Sequence, residues 1–336
     1  MNVSDNVLEI RNLKVHFLQE DGPPVRAVDG MSYNVKRGEC TAIIGESGSG
    51  KTVSALSILR LIPFPPGLIA GGEILFNGKD LLKASDEELQ QIRGSRISMI
   101  FQEPSAAMDP VMTVGRQLEE AILLHEKVTR KEAHERAIEL LKMVNVPNAE
   151  ERVNQYPYQF SGGMLQRAMI AMAMCCNPEV LIADEPTTAL DVTVQAQVLE
   201  QLNQLRKQTG SALIIITHNL GVVAHYAESV KIVYGGKIVE EGSTKDVFKN
   251  PGHPYTWGLI RTVPRLDRPV EEALYTIEGE PPNMRYVPEQ SCAFAARCKY
   301  ATEECRCKRP EPIEVGEGHY VSCLHIEEAA ERRKSS

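Results

Sequence analysis

At 336 residues the chain is long enough for one large domain and an appendage, and its 43% hydrophobic and 24% charged residues are ordinary for a globular protein. A formal charge of −8 argues against a nucleic-acid binder, which usually presents a basic domain. The longest apolar run, Ala168–Cys176, falls well short of the roughly 18–20 residues that span a bilayer, and the start Met1-Asn2-Val3-Ser4-Asp5 lacks the basic and apolar segments of a secretory signal, so the expectation is a cytoplasmic chain.

The first two-thirds alternates β-rich runs with helical stretches, the pattern of an α/β domain with a largely parallel sheet. Leu8–Phe17 alternates apolar and polar positions and predicts a strand. Thr41-Ala42-Ile43-Ile44 predicts a short buried strand that runs straight into a glycine-rich turn. Lys51–Leu61 is then helical until Pro63, Pro65, Pro66 and Gly67 stop it. Arg96–Phe101, Val180–Asp184 and Ala212–Thr217 read as further strands. Val114–Glu126 and Arg130–Val144 carry helical periodicity with no strand signal between them, which predicts a helical subdomain at about 103–175. Val192–Gln208 is another helix closed by Gly210, and Val230–Glu241 a hairpin turning at Gly235-Gly236. Past Asn250, prolines at 251, 254, 264, 269, 281, 282, 288, 310 and 312 break up any long element. The expected domains are therefore 7–249 and a loop-rich 250–336, which a metal staple would help to hold.

Two segments carry chemistry on their own. Gly45-Glu46-Ser47-Gly48-Ser49-Gly50-Lys51-Thr52 fits G-x-x-x-x-G-K-[ST], and it follows a predicted strand and opens a predicted helix. Glycines there let backbone N–H groups turn inward around phosphate oxygens, and the helix start adds partial positive charge. Lys51 would reach the β- and γ-phosphates of ATP while the Thr52 hydroxyl ligates Mg²⁺. Val180–Asp184 with Glu185 is an apolar strand ending in two carboxylates, at the edge of a parallel sheet where ligands sit. Asp184 would hold Mg²⁺ through its water shell, and Glu185 would act as general base on the attacking water. The same phosphate loop serves GTPases, kinases and helicases, so these segments alone do not say what the hydrolysis drives.

Phe160-Ser161-Gly162-Gly163-Met164-Leu165-Gln166-Arg167, just ahead of an apolar helix, narrows the choice. Here the sequence resembles the ATP-binding-cassette (ABC) family, whose signature is usually Leu-Ser-Gly-Gly-Gln. The resemblance runs from about Val7 to Gly242. It implies a P-loop NTPase cassette with a parallel sheet core, an antiparallel β part and an inserted helical subdomain. Gln102 matches the glutamine that senses γ-phosphate and the membrane partner and joins Thr52 on Mg²⁺; His218 matches the switch histidine. Ala189-Leu190-Asp191 matches the loop that crosses the dimer interface, and Phe17 stands where an aromatic ring stacks on adenine. Catalysis would then fall to Glu185, His218 and Gln102. Ser161 and the Gly162 and Gly163 amides would grip ATP held by an opposing subunit, so two chains sandwich two nucleotides. Met164 replaces the usual glutamine.

Asn250-Pro251-Gly252-His253-Pro254-Tyr255-Thr256, Cys292-Ala293-Phe294-Ala295-Ala296-Arg297-Cys298, Cys305 and His319-Tyr320-Val321-Ser322-Cys323 resemble the extension of dipeptide and oligopeptide importer ATPases. Met164 is similar to their D-type subunit, which pairs with an F-type chain. The implied partners are that second ATPase subunit or another copy of this chain, two permeases and an extracytoplasmic solute-binding protein, with the chain peripheral on the inner face of the plasma membrane. Importers of nickel and other small solutes share parts of this extension. Soluble ABC proteins of DNA repair or translation carry paired cassettes, coiled coils or zinc hooks, none of which this sequence shows, and the extension disfavours an exporter. A non-catalytic partner is disfavoured because every catalytic position is filled.

Of eight cysteines, Cys40, Cys175 and Cys176 read as core residues, whereas Cys292, Cys298, Cys305, Cys307 and Cys323 crowd the C-terminal region. The spacings between Cys292, Cys298, Cys305 and Cys323 match neither a zinc ribbon nor the common ferredoxin pattern. These four suit either a [4Fe–4S] cluster or tetrahedral zinc, with plain free thiols a third reading; the resemblance to importer ATPases favours the cluster, with Cys307 spare.

Overall fold

The computed structural model describes residues 5–188, 190–263, 275–327, 329 and 331. Met1–Ser4, Ala189, Pro264 and Pro269 lie outside the described residues. The chain opens on β1 (Asn6–Phe17), β2 (Val25–Lys36) and β3 (Cys40–Ile44). β1 follows its alternation, burying Leu8, Ile10, Leu13 and Val15, and β3 is buried throughout. α1 (Lys51–Ile58) starts directly after the glycine-rich turn and ends one turn earlier than predicted. β4 (Gly67–Phe76) and the short β5 (Lys79–Asp80) fill a stretch that the sequence marked only with a proline–glycine stop. α2 (Asp86–Ile92) is started by a capping box, in which Ser85 and Glu88 accept from each other's backbone N–H at 3.2 and 3.1 Å. β6 (Ile97–Ile100) is wholly buried.

Helices then run in series: α3 (Pro104–Ala107), α4 (Val114–His125), α5 (Arg130–Met143), α6 (Ala149–Arg152) and α7 (Gly162–Met174). α4 buries Val114, Leu118 and Ile122, four residues apart, while α5 buries Ala133, Ala137 and Leu140, so each presents one stripe to its neighbours. Thr113 and Thr129 cap these two helices through their hydroxyls. β7 (Val180–Asp184) follows, then α8 (Val192–Thr209), capped by Asp191 and ended by Gly210 at φ 70°, then β8 (Ala212–Thr217). The remainder holds α9 (Leu220–Tyr226), β9 (Ser229–Tyr234), β10 (Lys237–Ser243), α10 (Thr244–Lys249), α11 (Pro254–Arg261), α12 (Glu303–Cys307), β11 (Ile313–Gly316) and β12 (His319–Val321).

The chain divides into two compact units. The first takes Val35–Glu39, Phe76–Ile216 and the N-terminal stretch that ends at Leu8. Its strands β6, β7 and β8 are parallel, with Ile97 opposite Val180 and Val180 opposite Ala212. Glu179 secures its edge, accepting from Asn77 at 2.9 Å and from Arg96 at 2.7 Å.

The second unit takes Glu9–Asn34, Cys40–Leu75 and the chain from Thr217 onward. β3 runs parallel to β9, with Thr41 opposite Ser229. Antiparallel pairing then leads from β9 to β10, to β12 and to β11. β2, β1 and β4 lie side by side in that order. The β9–β10 hairpin turns at Gly235 and Gly236 as predicted. Its core gathers Ala42, Ile44, Val230, Ile232, Tyr234, Tyr255 and Phe294. Residues past Asn250 thus share a core with β3 and β9. Among the described residues no helix is long and apolar enough to cross a membrane.

Candidate nucleotide site

In the second unit β3 delivers the chain into Gly45–Thr52. A Cβ on Gly45 would lie 2.2 Å from the Val233 carbonyl oxygen, so only glycine lets the loop lie that close to β9. Gly50, at φ 100°, is confined in the same way by the Ala27 carbonyl, and Gly236 donates its N–H to Ser49 O at 2.9 Å. Ser47 and Gly48 stand exposed at the crest. Lys51 is buried, and its ammonium donates to the carbonyls of Gly45 (2.8 Å) and Glu46 (2.9 Å). The Ser49 hydroxyl is buried without a hydrogen-bond partner among the described residues. An orphaned donor within a loop of this form fits a phosphate oxygen. No side chain caps the start of α1, and Thr52 is exposed on its first turn.

Two other expected residues belong to this unit. Phe17 ends β1 half-buried, its ring against Gly67. His218 is exposed immediately after β8, and the next residue, Asn219, caps α9 by accepting from Gly221 N–H at 3.0 Å.

In the first unit Asp184 is buried at the end of β7. Glu185 follows with φ at 45°, a left-handed conformation uncommon for glutamate, and its N–H donates to Ile216 O at 2.9 Å. Its Oε2 accepts from the Thr188 hydroxyl at 2.8 Å and from Gln102 Nε2 at 3.4 Å. The structure therefore brings Gln102 and Glu185 together, and adds Thr188, which the sequence reading did not single out. Ser161 caps α7 by accepting from Met164 N–H at 3.3 Å. Gly162 faces open space, whereas a Cβ on Gly163 would stand 3.1 Å from Val194 Cγ1. The signature is thus an exposed helix start packed against α8. Asp191, from the expected dimer-crossing loop, caps α8 by accepting from Thr193 and Val194 N–H, while its neighbour Ala189 lies outside the described residues.

Residues 28–188 match the family described as ABC transporter, and residues 239–305 match the oligopeptide/dipeptide transporter C-terminal region. The oligopeptide transport ATP-binding protein OppD of Bacillus subtilis is 48% identical over 94% of this chain and 87% of its own length. The chain belongs to the ABC transporter ATP-binding subunits. Within this ABC group, the dipeptide transport ATP-binding protein DppD of Bacillus subtilis is 47% identical, covering 97% of both chains. Among solved structures, the dimeric post-hydrolysis state of the ATP-binding cassette MJ0796, bound to ADP and Pi, aligns with a TM-score of 0.63. It is 28% identical and covers 70% of this chain and 98% of its own. The cassette fold expected from the signature is therefore the fold of this ABC subunit, and the chain is an ATPase of the ABC type.

The metal-binding character expected of the C-terminal region is not supported in the same way. Among the described residues no group of three or more His, Cys, Asp or Glu is placed to hold a metal ion. Cys292, Cys298, Cys305 and Cys323 do line one small cavity together with Phe294, Tyr300 and His325. Burial, with neighbouring cysteines adding to it, pushes the Cys292 and Cys298 thiols up to about 11. Cys307 is exposed and directs its sulfur to the Glu303 and Glu304 carbonyls.

Two contacts to the phosphate loop come from the extension segments, with no sequence signal that links them to it. Tyr255 and Arg297 reach Glu46 from 209 and 251 residues away, a distance at which sequence spacing gives no signal.

Proposed function

We propose that this ABC ATPase powers the uptake of dipeptides or oligopeptides, working on the inner face of the plasma membrane with a second ATPase subunit and two permeases. The observation that carries the reading is the match of residues 239–305 to the oligopeptide/dipeptide transporter C-terminal region, in a chain whose curated relatives are peptide transport ATP-binding proteins.

In this reading the loop from Gly45 to Thr52 wraps the phosphates of ATP. Lys51 exchanges its two carbonyl partners for β- and γ-phosphate oxygens, and the Ser49 hydroxyl gains the acceptor it lacks. Thr52 and Gln102 ligate Mg²⁺, with Asp184 acting through water, and Phe17 stacks on adenine. Glu185 orients the attacking water and takes its proton, while His218 reads the γ-phosphate. Ser161, Gly162 and Gly163 lend the start of α7 to the nucleotide on the companion chain. Closure then follows ATP binding because ATP bridges the closed pair and not the open one. A peptide-loaded solute-binding protein outside the membrane signals through the permeases.

Cys292, Cys298, Cys305 and Cys323 are proposed to hold a [4Fe–4S] cluster. Four thiols on one cavity, with Cys307 turned elsewhere, supply the ligand number of such a cluster. It would serve as a staple in a region poor in regular structure. Anaerobically purified protein should contain iron and acid-labile sulfide, both lost in Cys298→Ser; zinc without iron would overturn the assignment.

The transport reading is tested by reconstituting the chain with its permeases and companion ATPase in proteoliposomes. Peptide accumulation that requires ATP is the expected result; ATP-driven uptake of nickel with no peptide uptake would replace the substrate.

A further inference from the structure

Tyr255, on α11, is fully buried, and its hydroxyl accepts from the Glu46 N–H at 3.0 Å. That N–H belongs to the same planar peptide as the Gly45 carbonyl, which holds the Lys51 ammonium at 2.8 Å. The following carbonyl, of Glu46 itself, holds the same ammonium at 2.9 Å. One rigid plane therefore has a tyrosine on its donor side and the phosphate-binding lysine on its acceptor side.

The Glu46 side chain is gripped as firmly. Its Oε2 accepts from Arg297 Nη1 at 2.7 Å, and the same nitrogen reaches the Tyr234 hydroxyl at 3.1 Å. The guanidinium is fixed further by the Glu278 and Ile277 carbonyls at 3.1 and 3.2 Å, and the Arg297 side chain is 7% exposed. Phe294 sits between these groups, with its ring 5.1 Å from that of Tyr234 and 5.5 Å from that of Tyr255. A surface ion pair would contribute little, but this one is enclosed and shares its arginine with three other acceptors.

We propose that Tyr255 and Arg297 are positioning residues for ATP binding, which set Lys51 by holding the Gly45–Glu46 peptide and the Glu46 carboxylate. The C-terminal region of the chain thereby acts on nucleotide affinity through its own side chains. The proposal rests on the phosphate-binding role of Gly45–Thr52. It predicts a change in how tightly MgATP is held, with little change in the chemical step, because neither residue reaches the reacting atoms through anything but Lys51.

The test is a titration of purified full-length protein with MgATP, alongside melting temperature without nucleotide and steady-state kinetics with the companion subunit. Tyr255→Phe removes one acceptor and should raise the MgATP Kd and KM about threefold to tenfold, with kcat within about twofold. Arg297→Met should do the same, and Arg297→Lys should recover part of the loss. The Glu46→Gln, Arg297→Met double variant should bind no more weakly than Arg297→Met alone, since both changes break one interaction. Should Arg297→Met fail to fold, Tyr255→Phe and Arg297→Lys carry the test. Wild-type binding with unchanged Kd in the variants, or a lower melting temperature with no change in Kd, overturns the proposal and leaves the nucleotide site standing. No MgATP binding by the wild type removes the nucleotide reading itself.

Discussion

The Thr188 hydroxyl donates to Glu185 Oε2 at 2.8 Å, across three residues of a turn that begins with Glu185 in a left-handed conformation. That backbone conformation is held by the Glu185 N–H bond to Ile216 O, so both the main chain and the carboxylate of this residue are fixed from within one unit. A general base needs such an orientation before its proton affinity matters.

Glu185→Gln keeps the shape and the Thr188 contact and removes the proposed base. Turnover should fall by roughly 10²-fold or more while MgATP still binds. Phosphate release and equilibrium nucleotide binding, measured on the same preparation, check the two halves; unchanged turnover would assign the base elsewhere.

Thr188→Val leaves the proposed base in place but releases one of its oxygens. We expect kcat to drop about threefold to tenfold, the net cost of one ordinary hydrogen bond, with KM for MgATP little changed. A variant that loses affinity and keeps kcat would show that Thr188 serves the nucleotide and not the carboxylate.

Two glycines of the phosphate loop should respond differently to alanine. At Gly50 a Cβ would meet the Ala27 carbonyl oxygen at 2.2 Å and φ is 100°, so Gly50→Ala should abolish nucleotide binding and lower the melting temperature. At Gly48, with φ 74°, no atom lies within 4 Å of the added Cβ, leaving only a backbone cost of about 1–2 kcal/mol. Nucleotide titration of the pair separates steric need from conformational preference.

Glu179 gives the first unit a pH dependence. Burial works against its ionised form, but hydrogen bonds from Asn77, Arg96 and Arg37, with the charge of Arg96, outweigh it and hold the carboxyl below the usual range. A depressed folded-state value means that its stabilisation is present above the unfolded pKa and is lost as pH falls through the folded one. Glu179→Gln should therefore lower stability by about 1 kcal/mol at neutral pH, with the gap closing under acid conditions. Denaturant titrations at neutral and acid pH check it.

What was legible in the sequence was local. The turn at Gly235-Gly236, the cap at Gly210 and the helical stripes of α4 and α5 rest on neighbours within a few residues. The Gly45–Thr52 loop and the Ser161 cap of α7 are equally short-range devices. β4 gives no strand signal because it starts at the Gly67 stop and Gly71 and Gly72 interrupt it, yet Gly72 lets the strand lie against β1, where a Cβ would meet Asn12 O at 2.6 Å. β12 was missed because its pairing partner, Glu240 opposite Val321, lies far back in the chain. The same limit hid Tyr255 and Arg297: their residues were in view, but nothing in spacing connects them to Glu46.

In the function proposed above, ATP hydrolysis by this chain is tied to peptide uptake. Its most direct test is the rate of phosphate release from proteoliposomes holding this chain, its companion ATPase and both permeases, with and without peptide-loaded binding protein on the far face. We expect peptide to raise the rate and Glu185→Gln in this chain to remove most of that rise. A rate indifferent to peptide, or a peptide-driven rise that survives Glu185→Gln intact, would contradict the account.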